Sequence, residues 1–341
     1  MRLVTFTYIN QRPRAGVLVG GSVIDLASAA PLVFEEAADP HWELIDILRG
    51  EPDGMGLDGV AEIAAAVLDQ LGVSSADEFA ESEPLRSDLT GGPLSIGGAE
   101  MLLPLDEVRL MAPLTRPNTV RAFDAFEQHV EALARNRGLL IPPEWYEFPA
   151  FSFANPGAIY GPDADVHMPR TAALDYALNL ACVIGRAGRD IAEQDAEYYI
   201  AGYTIMNDWS ARDLERVERA VGLGLAKAKD FATSLGPVLV TPDELEDRLL
   251  PDGRYNLTML ARVNGAQRSR GNFRDVYYTF AQMIAHASRD ATLYPGDVLG
   301  SGAIGGGCLL ELTADNGPWL EMGDEVELEI GGLGLLHNQI V

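Results

Sequence analysis

The chain has 341 residues, 47% of them hydrophobic, enough to bury a large core as one large domain or two smaller ones. Its 25 Lys and Arg stand against 51 Asp and Glu, a formal net charge of -26, so its surface repels nucleic-acid phosphates and anionic lipid head groups. Nucleic acid and membrane surfaces are thereby excluded as partners, and the acidity itself reads as a solubility feature.

The start, MRLVTFTYINQRPR, lacks a continuous apolar segment, and no stretch approaches the roughly eighteen apolar residues that a membrane span needs. A soluble cytoplasmic protein is expected. RLVTFTY, AGVLVG and SVIDLA alternate as strands do, with Gly20-Gly21 as a hairpin turn. Residues 42–72 and 76–82 read as helical, and GGPLSIGG breaks the pattern, which predicts a small N-terminal domain over 1–105. From VRLMAPL onward, over 106–341, short strands set off by Pro and Gly alternate with helices expected at 123–137, 190–200, 242–249 and 275–287. That mixture predicts an α+β fold built on an antiparallel or mixed sheet.

Residues 174–185, LDYALNLACVIG, carry a period of two. Leu174, Tyr176, Leu178, Leu180, Cys182 and Ile184 make an apolar face, whereas Asp175, Ala177, Asn179, Ala181 and Val183 make a small, half-polar one that suggests a ligand on that side. Cys182 and Cys308 each sit in an apolar run, so two buried free thiols in a reducing compartment are expected in preference to a disulfide. GSGAIGGG at 300–307 has neither a following Gly-Lys-Ser/Thr nor an opening helix, and reads as tight turns near a ligand instead of a phosphate loop.

The stretches IAGYTIMNDWSARDLER, KDFATSLGPVLVTPDEL and YPGDVLGSGAIGGGCLLEL strongly resemble the fumarylacetoacetate hydrolase family from about Val108 to Val341. The resemblance implies a mixed-sheet roll or barrel, a homodimer, a small-molecule substrate of the β-diketo or oxo-acid class, and one Mg²⁺ or Mn²⁺ held by carboxylates. A hard ion of that kind takes oxygen donors and steadies the enolate that forms beside a carbonyl.

Set against the family pattern, the ligands are largely missing. Ala177-Leu178-Asn179 stands where relatives carry Glu-x-Glu, and Ala122, in Arg121-Ala122-Phe123, stands where they carry an Asp. Asp208 of MNDWSARD is the only matching carboxylate left, and neither Asp124 nor Asp175 occupies a lost ligand's position. Ala303 replaces a substrate-binding threonine. The expectation is therefore no metal, with Mg or Mn as the alternative, and a roomier, less anionic pocket suited to a larger, less charged ligand.

What survives points to proton transfer. His129 in FDAFEQHVEAL matches the lid histidine of the family, and Glu311 of CLLEL matches the acid that orients it, with Glu127 and Glu131 as alternative partners. Lys229 of AKDFATS matches a lysine that would steady an enolate or carboxylate, whereas Lys227 reads as surface. Arg212 and Asp213 either contact substrate or build their loop. The candidate site thus comprises His129, Glu311 and Lys229 as catalytic groups, and Asp208, Asn179, Ala177, Ala122, Arg212 and Ala303 around the substrate. The expected function is metal-independent acid/base chemistry (cyclisation, isomerisation, dehydration or C–C cleavage) on a β-dicarbonyl or polyketide-like metabolite. The alternatives are a C–C hydrolase with a rearranged metal site and a catalytically silent scaffold.

Overall fold

The strand expected in LDYALNLACVIG runs from Leu178 to Ile184 in the computed structural model, which describes residues 1–8, 12–34, 42–50, 56–73, 94–96, 99–222 and 224–341. Every residue of that strand is buried. Leu178, Leu180, Cys182 and Ile184 join one hydrophobic core, whereas Ala181 and Val183 join a second core with Leu3, Val17, Ile24 and Ile63 from the N-terminal part of the chain. The small face is thus small because a second apolar layer packs on it. Only its beginning, at Ala177 and Asn179, faces a cleft.

The strand lies within a 13-stranded mixed sheet. Leu178–Ile184 pairs antiparallel with both Ile200–Asn207 and Val298–Gly300, and Val298–Gly300 pairs parallel with Val120–Phe123. On the other side, Ile200–Asn207 pairs with Thr233–Val240, which pairs with the first strand, Arg2–Thr7. The sheet therefore runs across the boundary expected near residue 105. The hairpin Arg14–Val19 to Ser22–Asp25 turns through Gly20 at φ 55°, a left-handed conformation that glycine adopts without a Cβ penalty. Among the described residues the sheet path begins at Leu94–Ile96 and ends at Phe151–Ala154, so the expected roll or barrel is an open sheet, not a closed one. A second sheet of five strands gathers Ala164–Val166, Thr258–Val263, Ala266–Asn272, Glu325–Ile330 and Gly334–Ile340.

Helices depart from expectation where tertiary pairing competes. The helix expected from residue 123 begins at Glu127, because Val120–Phe123 is hydrogen-bonded as a strand on both edges. The 42–72 region is described as helices Leu44–Leu48 and Gly56–Gln70, and the segments near 190–200 and 242–249 are 3₁₀ turns at Glu193–Tyr199 and Pro242–Arg248. Phe280–Ser288 is an α-helix whose Thr279 and Gln282 form a capping box. Arg212–Val221 is a helix that the strand and turn pattern did not suggest. The helix expected at 76–82 lies outside the described residues, and GGPLSIGG contains the short strand Leu94–Ile96. Both cysteines are free and buried.

Asp175 ties these parts together. Its side chain is fully buried and accepts hydrogen bonds from the Leu309 and Leu310 amides at 2.7 and 3.0 Å and from Arg212 Nε at 2.8 Å. Removing one partner of a buried pair leaves the other uncompensated, so Asp175→Ala should lower stability by about 3–5 kcal/mol. Urea unfolding checks this, and a loss below roughly 1 kcal/mol, the worth of an exposed pair, would remove the role given to this carboxylate.

Candidate active site

Strand direction alone brings the site together. The carboxyl ends of Val120–Phe123, Ile200–Asn207 and Val298–Gly300 and the amino end of Leu178–Ile184 meet at one edge of the sheet, because the first three all run opposite to the fourth. Ala122, Asp208, Ala303 and the pair Ala177 and Asn179 therefore converge, and all five line one cleft with about 850 Å³ of empty space. The helix Glu127–Asn136 contributes His129 to the same wall, and the loop after Arg212–Val221 contributes Lys229. Gly302 sits at φ 88°, and a Cβ there would lie 2.4 Å from the Phe123 carbonyl oxygen, so glycine is what lets the two strand ends close up.

His129 is buried, and its Nδ1 lies 2.8 Å from a Glu311 carboxylate oxygen. The alternative partners are engaged elsewhere: Glu131 with Arg135, and Glu127 with the Tyr146 hydroxyl. Burial alone would lower the histidine pKa, but its contacts with Cys308 and Glu311 and the nearby Asp124 carboxylate outweigh it and push the value up to about 10. The contact with Glu311 thus favours the charged form of the ring. Sequence reasoning read Cys308 as core and missed its place beside His129.

Lys229 Nζ donates to Asp208 at 2.5 Å and to the Ser210 hydroxyl at 2.7 Å, whereas Lys227 is exposed and pairs with Asp230. Asn179 spends its amide donor on the Ala177 carbonyl. Asn179 Oδ1 and Asp208 Oδ1 are buried acceptors without a hydrogen-bond partner among the described residues. Arg212, although part of the cleft wall, is committed to Asp175 and to Glu215 at 2.7 Å, and Asp213 binds the Thr171 hydroxyl and the Ala172 amide. Both residues build their loop. Glu215 also lines the cleft and was not anticipated. Burial would raise its pKa, yet Arg212, Lys229 and Arg219 hold it well below the usual carboxylate range. The i,i+3 and i,i+4 spacing of Arg212, Glu215 and Arg219 in ARDLERVER was the signal that could have found it.

A match to the model described as "Fumarylacetoacetate (FAA) hydrolase C-terminal" covers residues 118–341, about two thirds of the chain. The chain belongs to the fumarylacetoacetate hydrolase family. Among its relatives is human "Oxaloacetate tautomerase FAHD2A, mitochondrial", 33% identical over 242 residues that make up 70% of this chain and 72% of that one. The solved 5-carboxymethyl-2-hydroxymuconate delta-isomerase of Mycobacterium smegmatis superposes with a TM-score of 0.56 at 30% identity, covering 72% of this chain and 86% of its own. The maleylpyruvate hydrolase of Sphingobium sp. SYK-6, solved with manganese(II) and pyruvate, shares the fold over 100% of this chain and 99% of its own at TM-score 0.65 and 24% identity. This family member is accordingly an enzyme whose matched relatives bear tautomerase, isomerase and hydrolase names. No helix among its described residues is long and apolar enough to cross a membrane, and the human relative is named as mitochondrial.

The family's divalent ion does not fit the residues present. Mg²⁺ and Mn²⁺ take oxygen donors in octahedral array. Here two ligand positions are alanine methyls, a third is an amide, and the remaining carboxylate already has one oxygen on the Lys229 ammonium. The one group of metal-capable side chains among the described residues, His129, Cys308 and Glu311, offers nitrogen, sulfur and carboxylate instead.

The His129 pair has a pH signature. The folded value of about 10 lies above the ordinary 6.5, so protonation of His129 stabilises the fold fully below about pH 6.5, and that stabilisation is lost as pH rises through about 10. An NMR titration of the His129 ring should show it protonated at pH 7–8. Glu311→Gln should bring the midpoint down by roughly a unit or more, and an unmoved midpoint would show that Glu311 does not set it.

Proposed function

We propose that this family member catalyses metal-independent proton transfer at a carbon flanked by two carbonyls, on a β-dicarbonyl or polyketide-like metabolite. The observation that carries the reading is the His129–Glu311 pair, 2.8 Å apart, opening onto the cleft that holds the Lys229 ammonium, with methyl groups at two of the family's ligand positions. The tautomerase and isomerase names of its relatives support a reaction in which protons move.

Each group then has a role. Lys229, anchored by Asp208 and Ser210, presents a fixed positive charge to the enolate oxygen. His129 as imidazolium delivers a proton to the enolate carbon, which leaves a neutral imidazole and a ketone. The reverse direction returns that proton to the ring. Glu311 and Cys308 keep the ring in place and favour its charged form. Asn179 Oδ1 and Asp208 Oδ1 are acceptors for hydroxyl or enol donors of the substrate. Cyclisation, isomerisation, dehydration and C–C cleavage all begin from such an enolate, and a place in secondary metabolism, a cytoplasmic location and a homodimer complete the proposal.

Deuterium exchange of the central protons of acetylacetone and of oxaloacetate, followed by NMR on EDTA-treated protein, tests this without knowing the natural product. His129→Asn should slow exchange about 10²–10⁴-fold, and an unchanged rate would leave the silent-scaffold reading standing.

Lys229→Met should cost about 10²–10³-fold. Millimolar Mg²⁺ or Mn²⁺ should change the wild-type rate by less than about twofold and give no heat by calorimetry, since Asp124, Asp208 and Glu215 line the cleft without forming a close ligand group among the described residues. A stoichiometric ion in elemental analysis would favour the hydrolase with a rearranged metal site.

A further inference from the structure

Cys308 stands at the N-terminal end of the helix Leu309–Leu312, three residues ahead of Glu311. The helix Glu127–Asn136 packs against that turn and adds His129. A ring nitrogen of His129, Cys308 Sγ and a Glu311 carboxylate oxygen all lie within 4.8 Å of one another, with His129 Nδ1 only 2.8 Å from the carboxylate.

This trio differs from the exposed acid clusters that any chain of net charge -26 carries. His129 and Cys308 are buried, and the Glu311 side chain keeps 11% of its exposure. Buried Asp175 holds the amides of Leu309 and Leu310, so the segment that bears the sulfur and the carboxylate is fixed before any ligand arrives. Leu133, Leu310 and Trp319 pack with Cys308 as a dry apolar shell.

Nitrogen, sulfur and carboxylate together are the donor set of a borderline-soft divalent ion, zinc above all, and not of Mg²⁺ or Mn²⁺. In a tetrahedral zinc site such donors stand about 3.4–3.6 Å apart, so an adjustment on the order of an ångström closes the three on one ion. The charges also balance: a thiolate and a carboxylate offset the dication and the neutral ring adds nothing, which matters where burial penalises an uncompensated charge. Three protein ligands leave the fourth place to water.

We infer that His129, Cys308 and Glu311 form a binding site for one zinc-class divalent ion, and that this ion shuts the reaction off by occupying the imidazole that carries the proton. Bonds form from the ion to the ring nitrogen, the thiolate sulfur and a carboxylate oxygen, and the thiol proton and any proton on that nitrogen pass to solvent. The site is separate from the lost carboxylate cage, because His129 alone of the three lines the cleft with Ala122, Ala177, Asn179 and Asp208. Capture of the ion stands on geometry, whereas the inhibition rests on the proposed role of His129.

The full chain, stripped with EDTA and freed of chelator, is titrated with Zn²⁺ by calorimetry and with Co²⁺ by absorption. One equivalent of Zn²⁺ should bind at micromolar concentration. Co²⁺ should give a sulfur-to-metal charge-transfer band, which also tells this ion from Mg²⁺ or Mn²⁺ held by oxygen. Cys308→Ser should abolish the band, and both it and Glu311→Gln should weaken Zn²⁺ by at least the roughly tenfold that even an outer-sphere change costs. His337→Ala, which breaks the exposed pair with Asp163, should change neither.

Protein preloaded with Zn²⁺, with the free ion removed by gel filtration, should lose exchange activity in step with its occupancy. Melting without metal checks the folding of each variant, and a wild-type Tm that rises by a few degrees with Zn²⁺ reads binding independently of exchange. A wild type without the charge-transfer band, or zinc binding that survives both Cys308→Ser and Glu311→Gln, overturns the inference. If the loaded protein shows the band yet exchanges at the full rate, the metal site stands and the catalytic reading of His129 fails. If His129→Asn loses exchange while the wild type takes up no Zn²⁺, the catalytic reading stands and the metal site fails.

Discussion

The Asp175 carboxylate sits where no water reaches it, and three donors from two distant segments close on it. Two are the amides of Leu309 and Leu310, and the third is the guanidinium of Arg212. Because Arg212 opens its helix and Leu309–Leu312 carries Glu311, one buried acid sets where both elements stand relative to the strand at Leu178. The 2.8 Å contact between His129 and Glu311 depends on that placement, as does the wall that Arg212 and Glu215 give to the cleft.

Around this anchor, the electrostatics follow from how the charged groups pair. Alanine stands at 122 and 177 and an amide at 179, and most charges at the cleft are paired, Lys229 with Asp208, His129 with Glu311, and Arg212 with Asp175 and Glu215, while Asp124 also lines it. A lysine beside a single carboxylate is a fixed positive group in a partly desolvated site, which is where such a charge acts most strongly on a developing oxyanion.

Several residues that line the cleft could be named from a resemblance to the family's motifs, among them His129, Lys229, Asp208, Ala122, Ala177 and Asn179. The residues that were missed share one property. Cys308 and Glu215 act through neighbours remote in the chain or on an unexpected helix, and a cysteine in an apolar run looks the same whether it touches leucine or imidazole. The half-polar face of the central strand was misread for a related reason: a period of two says which residues share a face, but Ala181 and Val183 gained their meaning from the N-terminal core that covers them.

The sequence by itself determined the family, the α+β class and the hairpin at Gly20, because these depend on residue type, motif and short-range spacing. Tertiary structure alone decided that the first strand would extend the catalytic sheet, that Phe123 would end a strand before the helix starts at Glu127, and that the sheet would stay open. It also decided that Glu311, 182 residues away in the chain, stands against His129. Local propensity is a matter of tenths of a kcal/mol per residue, whereas sheet pairing, burial and the distance between two charges are settled by contacts between segments far apart in the chain.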